Sequence, residues 1–329
     1  MKVLFLGGNG NISWHCATKA QQAGHDVYIL NRGLTVKGRR ACPKNVKQIY
    51  ADIRDIDSIK NTLKNNTFDV VADFICYTPE QAFIDINLFG NLTKQFIFIS
   101  SAGNYQRPCA YPIVESSELY NPNWEYAQNK IDCEQVFLSA YEKNGFPVTI
   151  VRPGHTYDTI MPDAVGNGDW TTAKRILEGK PIILHDTGNS VWTVTHSEDF
   201  AEAFIYLLGN TSTIGESYHI TSDEWLTWKE MAKITSTALG ITDPKFLYIP
   251  SNKIAQLNPK LGQGLLGHKA WCDIYDNSKI KQIAKGWKAK ISFEQGIKRT
   301  INWLQEDKNR QRINLELDLF LDNLYKEIL

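Results

Sequence analysis

The opening stretch, residues 1–13, constrains the fold of this chain more than any other segment. Val3 to Leu6 form an apolar run without alternation, which is typical of a strand buried on both faces of a parallel sheet. Gly7, Gly8 and Gly10 follow directly, and a helical pattern extends from Ile12 to Ala23. A strand, a glycine turn and a helix in this order predict a site where backbone amides and the helix dipole bind a dinucleotide pyrophosphate.

Three glycines also occur in ordinary turns, so the alternative is a plain β-turn-α unit without a ligand. The context favours the dinucleotide site, because the helix stops at Gly24 and a second apolar run, Val27 to Leu30, follows it. Further strands are predicted at 46–52, 68–75, 95–100 and 147–151, with helices at 56–63, 79–92 and 124–144 between them. This alternation predicts an α/β fold with a doubly wound parallel Rossmann sheet.

The chain changes character after Pro153, where Gly, Asp and Asn become frequent and the predicted strands shorten. We therefore predict a Rossmann domain over residues 1–155, to which residues from about 190 to 222 return. Residues 156–189 and 223–329 would then form a smaller α/β lobe that binds the substrate. In this second half of the chain, helices are predicted at 198–208, 227–239, 292–305 and 313–328, and strands at 217–221 and 246–249.

The amino-acid composition limits the kinds of molecule that the protein is expected to bind. The 36 basic and 36 acidic side chains balance, so no overall field favours nucleic acid or a membrane surface, and a small-molecule substrate is expected. The apolar runs are too short to span a bilayer, and no secretory signal precedes the first strand, which predicts a cytoplasmic protein. The six cysteines are scattered without metal-like spacing, so they are expected to be reduced, with no structural metal.

The residue that closes the second strand bears on the choice of cofactor. An acidic residue there would bind the adenosine ribose, whereas a basic one would suit the 2′-phosphate of NADP. The chain has Asn31-Arg32-Gly33 at this place. Asn31 has a simpler interpretation as a turn residue, but Arg32 favours NADP over NAD.

A second group of polar residues lies near the start of the helix predicted at 124–144. Tyr126 and Lys130 are four residues apart, so they share one helical face, and an ammonium group beside a phenol favours the phenolate needed for acid/base work. Such a pair is common on protein surfaces. Here, however, Ser100 and Ser101 end the preceding strand, at the edge where open α/β sheets bind ligands.

Taken together, these motifs resemble the extended short-chain dehydrogenases/reductases, the family that contains nucleotide-sugar epimerases and dehydratases. The resemblance rests on Gly7-Gly8-Asn9-Gly10, Asp52-Ile-Arg-Asp55, Phe98 to Tyr105, Tyr126-x-x-x-Lys130 and Arg152-Pro153-Gly154, in matching order and spacing. It implies that Tyr126 is the general acid/base, that Lys130 binds the nicotinamide ribose and lowers the pKa of the tyrosine, and that Ser101 orients the substrate oxygen. The serine four residues before Tyr105 stands at the family's catalytic position, so Ser101 is preferred over Ser100.

The resemblance also implies a set of cofactor-binding residues. They are Gly7, Gly10, Asn11, Ile12, Asn31, Arg32, Asp52, Ile53, Lys130 and Pro153. The family often dimerises through two helices of each subunit, which predicts a homodimer formed by the helices at 79–92 and 124–144.

The sequence departs from the family pattern at three places. Ser13 stands where the third glycine of the turn is usual. His155 replaces an asparagine that helps to hold the sugar diphosphate, and Trp192 replaces an arginine that pairs with it. Either other arginines such as Arg107 or Arg175 have taken over, or the substrate is not a typical nucleotide sugar. His155 and Trp192 are therefore candidate substrate residues.

The sequence thus predicts an NAD(P)-dependent oxidoreductase or epimerase that acts on a hydroxyl or keto carbon of a sugar-like, possibly nucleotide-sugar, substrate. The alternative is a relative without catalysis that binds NAD(P) or RNA, like the chloroplast RNA-binding members of the family. The presence of Ser101, Tyr126 and Lys130, together with the zero net charge, argues for the enzyme.

Overall fold

The computed structural model describes residues 1–33, 40–64 and 66–328. Its strands are β1 (Lys2–Leu6), β2 (Asp26–Asn31), β3 (Lys47–Tyr50), β4 (Val70–Asp73), β5 (Phe96–Ile99), β6 (Val148–Pro153), β7 (His155–Tyr157), β8 (Ile182–His185), β9 (Val191–Trp192), β10 (Val194–His196), β11 (Ser217–Ile220), β12 (Leu226–Thr227) and β13 (Phe246–Ile249).

The α-helices alternate with these strands in the first half of the chain and outnumber them toward its end. They are α1 (Ser13–Gln22), α2 (Ile56–Leu63), α3 (Pro79–Phe89), α4 (Glu125–Asn144), α5 (Thr171–Leu177), α6 (Ser197–Phe204), α7 (Trp228–Ala238), α8 (Ser251–Leu257), α9 (Pro259–Gly264), α10 (Ser278–Ile283), α11 (Phe293–Gln305) and α12 (Leu315–Ile328). None of the helices in the described ranges has the length and apolar character that a membrane crossing requires.

Seven parallel strands form the main sheet, in the order β11-β6-β5-β4-β1-β2-β3. Strand β1 lies between β2 and β4, with Val3 opposite Val27 on one side and Val70 on the other. The strand order therefore reverses at β1, and this switch point opens a crevice at the carboxyl ends of the strands. The predicted doubly wound α/β fold is confirmed.

Both faces of the sheet are covered, which explains why β1 is apolar throughout. Val3 and Phe5 belong to the apolar core on the side of α1 and α6. Leu4 and Leu6 point the other way, into the core that contains residues of α2, α3 and α4. Alternate side chains of a strand face opposite sides, so burial on both faces requires a continuous apolar run.

A third apolar core lies in the later part of the chain. It includes the buried side chains of Trp170, Trp192 and Trp228, together with residues of α7, α11 and α12. The parallel pair β8 and β13 belongs to this part, whereas β11 pairs with β6 and completes the main sheet. The boundaries proposed for the two domains stay a prediction.

The predicted elements of the first half lie within a few residues of the observed ones. In the second half, α8, α9 and α10 were not predicted. These helices have only six or seven residues each, and a proline or glycine lies in or beside two of them. Their position is set by packing against the rest of the lobe, since helices this short are not stable alone.

Candidate active site

The glycine turn after β1 is constrained by its neighbours. Gly7 has a φ of 75°, and a Cβ at this residue would lie 2.4 Å from Cγ2 of Ile75. A Cβ at Gly8 would lie 2.6 Å from Cγ1 of Ile29. Larger residues would therefore clash at both positions, so the backbone can run this close to the sheet edge only with glycine there.

Ser13, at the position of the usual third glycine, closes the turn by hydrogen bonds. Its hydroxyl donates to the carbonyl oxygen of Gly7 at 2.7 Å and accepts from the amide of Gly10 at 2.9 Å. The serine is buried and begins α1. The hydroxyl of Ser13 therefore occupies the amide of Gly10, which a glycine at position 13 would leave free. The backbone amides of Asn11 and Ile12 are left at the start of the helix for a ligand.

The Asn11 side chain has a structural task. Its amide nitrogen donates to the carbonyl oxygen of Thr156 at 3.1 Å, and its amide oxygen accepts from the backbone amide of Thr159 at 3.0 Å. The asparagine thus joins the glycine turn to the segment that follows β6. Only its backbone is left to meet a ligand.

A long cleft runs along the carboxyl edge of the sheet in two connected parts. The inner part encloses about 1300 Å³ and is lined by the predicted residues Gly7, Gly10, Asn11, Ile12, Asn31, Ser101, Tyr126, Pro153 and His155. The outer part encloses about 1620 Å³ and is lined by the predicted residues Gly7, Asn31, Arg32, Asp52 and Ile53. The shared lining of Gly7 and Asn31 makes the two parts continuous, and an extended molecule such as a dinucleotide fits this shape.

At the outer part of the cleft, Asn31 is a turn residue, as its simpler interpretation predicts. Its side-chain oxygen accepts a hydrogen bond from the amide of Gly33 at 2.9 Å, which forms a turn at the end of β2. Arg32 is exposed beside it. Asp52, at the end of β3, accepts from the amide of Arg54 at 3.0 Å.

The two serines after β5 have different surroundings. Ser100 is buried and donates to the carboxylate of Glu134, which also pairs with Arg152 at 2.6 Å. Ser101 is only half-buried, lines the inner cleft with Tyr126, and accepts from the amide of Gly103 at 3.1 Å. Of the two hydroxyls, that of Ser101 is the one free to face a substrate.

Lys130 is a buried residue of α4 and lies behind the cleft. Its Nζ donates to the carbonyl oxygens of Cys76 and Ile99, each at 2.7 Å, and lies 5.9 Å from the centre of the Tyr126 ring. Burial lowers the pKa of the ammonium group. A lysine has three donors, so two carbonyl acceptors leave one for a further partner.

The protonation of Tyr126 differs from the expectation. Burial raises the pKa of its hydroxyl to about 12, and the hydroxyl of Ser101 opposes this only in part. The expected lowering by Lys130 is absent from this structure, because the ammonium group is bonded to two carbonyl oxygens instead of the phenol. In this state Tyr126 is a proton donor rather than a phenolate.

Behind the cofactor cleft, Asp73, Cys76 and Asp85 form a potential ligand set, with their ligand atoms within 4.8 Å of one another. Burial raises the pKa of both carboxyl groups. A proton shared between the two aspartates accounts for their contact without a metal ion.

A third cleft of about 850 Å³ adjoins the inner part on the side of the second lobe. Both clefts are lined by Trp124, His155 and His268, and the third one extends to Trp192. Burial, followed by the charge of Lys269, lowers the pKa of His155 to about 3, so this side chain is a neutral imidazole at physiological pH. His155 is therefore a poor candidate for acid/base catalysis, and it stays a candidate for substrate binding.

Trp192 is one of the residues that line the third cleft. Its side chain is fully buried, 4.7 Å from the ring of Trp228 and 4.6 Å from that of His268. Its indole nitrogen donates to the carbonyl oxygen of Trp271 at 2.7 Å. Trp192 therefore lines the third cleft as a tightly packed part of its wall, next to His268.

Arg107 and Arg175, which were considered as substitute ligands for the diphosphate, both form ion pairs with other residues. Arg107 pairs with the buried Asp273 at 2.6 Å. Arg175 pairs with Asp318 at 2.8 Å and with Asp322 at 2.6 Å. Both guanidinium groups are buried in these pairs, so neither takes the place of the missing arginine.

The structure also reveals cleft residues that the sequence reasoning did not single out. Trp124 is one of them, although it precedes Tyr126 by only two residues. His268 and Asp273 are the others, and their contact, at 3.1 Å between Nε2 and Oδ1, is not encoded by any recognisable motif. His268 lies on a π-helical turn, Leu265–Lys269, and such turns recur at functional sites, but their occurrence is hard to predict from sequence.

The fold and the cleft together define a dinucleotide-binding protein of the Rossmann type, with Ser101 and Tyr126 lining the inner part of the cleft and Lys130 behind it. Residues 3–221 match the model of the NAD dependent epimerase/dehydratase family. The chain belongs to this family, and the prediction of an enzyme of the extended short-chain dehydrogenase/reductase type is confirmed. The family is described as NAD dependent, and the preference for NADP finds no support in the comparisons.

Similar proteins cover most of the chain. The chloroplast stem-loop binding protein of 41 kDa b of Arabidopsis thaliana is 25% identical over 98% of this chain and 83% of its own length. The 2′-dehydrokanamycin reductase of Streptomyces kanamyceticus is 24% identical over 73% of this chain and 67% of its own. Among solved structures, the UDP-glucose 4-epimerase of Bifidobacterium longum, in complex with NAD⁺ and UDP, has a TM-score of 0.74 at 18% identity and covers 94% of this chain and 100% of its own.

Proposed function

We propose that this enzyme transfers a hydride between a nicotinamide dinucleotide and a carbon of a sugar-like substrate, with Tyr126 as the general acid/base. The observation that carries the proposal is the shared lining of one cleft by the glycine turn, Ser101 and Tyr126. The turn residues fit the pyrophosphate, because Gly7 and Gly8 leave no room for a Cβ and the amides at the start of α1 face the cleft.

Bound in this cleft, the nicotinamide ring would give or accept the hydride. The protein's own residues would handle the substrate oxygen. Ser101 would hydrogen-bond that oxygen and hold it next to the phenol, and Tyr126 would move a proton to or from it. Lys130, with one donor left after Cys76 and Ile99, would bind a ribose hydroxyl of the cofactor. Since burial keeps the pKa of Tyr126 high, the neutral phenol favours proton donation to a keto oxygen.

The experiment is a cofactor-binding measurement followed by a substrate panel. Purified protein is titrated with NADH and NADPH, and sugar and keto-sugar substrates are then screened by nicotinamide absorbance. Tyr126→Phe is expected to lose about 10² to 10⁴ in kcat while it still binds the cofactor. Tyr120→Phe, an exposed tyrosine outside the cleft, serves as the matched control and should keep full activity. Failure of both cofactors to bind, or full activity of Tyr126→Phe, would refute the proposal.

A sugar carbon as the site of reaction is supported by two kinds of observation. The relatives include a 2′-dehydrokanamycin reductase and a UDP-glucose 4-epimerase. The third cleft, beside Tyr126, has aromatic and imidazole walls, with Trp124, His155 and His268. Because Arg107 and Arg175 are buried in ion pairs, we propose that the sugar is not held through an arginine-bound diphosphate. UDP should then bind the holoenzyme with a Kd above the millimolar range. Tight binding of UDP would contradict the proposal that the enzyme does not hold its sugar through a diphosphate.

The choice of cofactor is a separate proposal. Arg32 is exposed at the outer cleft, where the 2′-phosphate of NADP would lie, and no acidic residue closes β2. We propose that Arg32 allows NADP to bind as well as NAD. Arg32→Ala should then weaken NADPH binding about tenfold and leave NADH binding unchanged, which a fluorescence titration checks. Equal losses for both cofactors would place Arg32 elsewhere in the site.

The alternative function is binding of RNA without catalysis. The Arabidopsis relative is a stem-loop binding protein by name. We do not favour it, because the chain has Ser101, Tyr126 and Lys130 together and carries no net charge. A labelled stem-loop RNA in a gel-shift assay at 150 mM salt should show no complex. A complex at nanomolar protein together with an inactive enzyme would favour the alternative.

A homodimer through α3 and α4 is the last part of the proposal. These helices pack side by side on one face of the sheet, and Phe83 of α3 and Tyr141 of α4 are exposed there. A second copy would cover them. Light scattering should give a mass near twice 37.4 kDa, and Phe83→Lys should convert the protein to monomers. A monomeric wild-type protein at micromolar concentration would contradict this.

A further inference from the structure

The turn that carries His268 is tied to the loop that carries Ser101. It lies on the π-helical turn Leu265–Lys269. The side chain of Asn121 donates to the carbonyl oxygen of Gly103 at 2.7 Å and to that of Gly267 at 2.8 Å. The loop that carries Ser101 and the turn that carries His268 are therefore tied together through one buried amide.

The ring of His268 is held in a defined orientation. Trp124 stacks on it at 5.8 Å with an interplanar angle of 26°, and Trp192 packs against it at 4.6 Å. Nε2 lies 3.1 Å from Oδ1 of Asp273. Trp124 also lies 4.9 Å from the ring of Tyr126, so tyrosine, tryptophan and histidine follow one another along the wall of the cleft.

Asp273 is the fixed negative charge behind this ring. It is fully buried and bonded to Nη2 of Arg107 at 2.6 Å and to the hydroxyl of Tyr275. Burial by itself would raise the pKa of the Asp273 carboxyl, but His268 and Arg107 hold it below its ordinary value. Nε2 lies within ion-pair distance of this carboxylate, although the two atoms are not aligned as a hydrogen bond. A carboxylate on this side of the ring favours the tautomer with the proton on Nε2 and the lone pair on Nδ1.

A purely structural ion pair is the simpler interpretation of this contact. Two observations weigh against it. Arg107 already neutralises Asp273 at shorter distance, so the carboxylate does not need a second cation. In addition, His268 lines both the cleft that contains Ser101 and Tyr126 and the adjoining cleft of the second lobe. A structural partner of a buried carboxylate would not need to face both cavities.

We propose that His268, oriented by Asp273, is a second acid–base residue of the active site, and that its Nδ1 takes a proton from a substrate hydroxyl other than the one handled by Tyr126. In this step the O–H bond breaks, its electron pair stays on the oxygen, and the new N–H bond makes an imidazolium that Asp273 stabilises. The reverse step returns the proton. The inference rests on the proposed function and extends it to a second polar contact with the substrate.

The charged and titratable groups around His268 come from four segments. Asp273 and, behind it, Arg107 face Nε2. His155 of β7 faces the same cavity as a neutral imidazole. Lys269, the next residue in the chain, bonds the carbonyl oxygens of Asp163 and Gly166 at 2.9 Å each, so its charge is held away from the ring. The carboxylate is thus the dominant charge that an imidazolium at this position would meet.

The tautomer and reactivity of the ring test the inference without any substrate. In ¹⁵N-labelled wild-type protein, long-range ¹H–¹⁵N correlation should show a neutral His268 with its proton on Nε2, and His268→Gln identifies the signals. Diethyl pyrocarbonate should acylate His268 through its free nitrogen, as mass spectrometry of the peptide shows. His25→Gln, outside the cleft, is the matched control. A proton on Nδ1, or no acylation while His25 reacts fully, would overturn the inference.

Activity provides the second measurement once a substrate is known. His268→Gln should lower kcat about 10²-fold or more, change KM less than kcat, and remove one limb of the pH profile, whereas His25→Gln changes none of these. A wild-type kcat and pH profile in His268→Gln would refute the role. If neither cofactor binds, the proposed function fails. The NMR measurement of the tautomer and the acylation experiment still test, in that case, whether His268 has a free Nδ1.

Discussion

The cofactor end and the substrate end of the cleft are built in different ways. At the proposed cofactor end, the groups that shape the site are close in sequence: Gly7, Gly8, Gly10 and Ser13 form one turn, which the hydrogen bonds of Ser13 to Gly7 and Gly10 close. At the substrate end, the pair of Arg107 and Asp273 joins segments that are 166 residues apart. The first kind of site is determined by local backbone geometry, whereas the second depends on the folded lobe that brings its parts together.

The largest effect is expected at the substrate end. Arg107→Leu leaves the carboxylate of Asp273 buried beside a single histidine, so the free energy of unfolding should fall by about 3 to 5 kcal/mol in urea titrations. Arg299→Leu is the matched control, because its ion pair with Glu198 is exposed and should contribute less than about 1 kcal/mol. Equal losses in the two variants would mean that the buried pair does not hold the substrate end together.

A smaller effect on stability, but a larger one on cofactor binding, is expected at the glycine turn. Gly7→Ala meets both a φ of 75° and the side chain of Ile75, whereas Gly24→Ala meets a φ of 84° in open space. Each should cost about 1 to 2 kcal/mol for the left-handed backbone. Only Gly7→Ala should also weaken NADH binding, by at least about tenfold, in a fluorescence titration. Weaker binding in both variants would show that global stability, rather than the turn, limits affinity.

The effect that is smallest near neutral pH is a pH dependence of stability from His155, which is half-buried between two clefts. Its pKa is lowered to about 3 in the folded state, against about 6.5 when unfolded. The unfolded chain therefore binds more protons between these values. Stability that is present above pH 6.5 is lost as the pH falls toward 3, by up to about 1.4 kcal/mol per pH unit. His155→Gln should flatten this slope in urea titrations at pH 7 and pH 5, and an unchanged slope would contradict the burial of a neutral ring.

The sequence was a good guide to the first half of the fold. The strand of Val3 to Leu6 could be predicted because burial on both faces leaves a continuous apolar run, and α4 because its pattern and length are strong. The short helices α8 to α10 could not, since six or seven residues carry too little periodicity. The preference for Ser101 over Ser100 came from the family resemblance. The structure adds a physical reason, because Ser100 is bonded to Glu134.

By itself, the sequence determined the Rossmann fold, the family and the group of Ser101, Tyr126 and Lys130, because these depend on local backbone geometry and fixed spacings. Only the tertiary structure decided how the charges and aromatic rings meet. It showed that the ammonium of Lys130 bonds two carbonyl oxygens, and that Trp192 lies beneath His268. These contacts join residues that are 31 to 76 positions apart in the sequence, so they arise from packing of the fold, and no local pattern in the sequence records them.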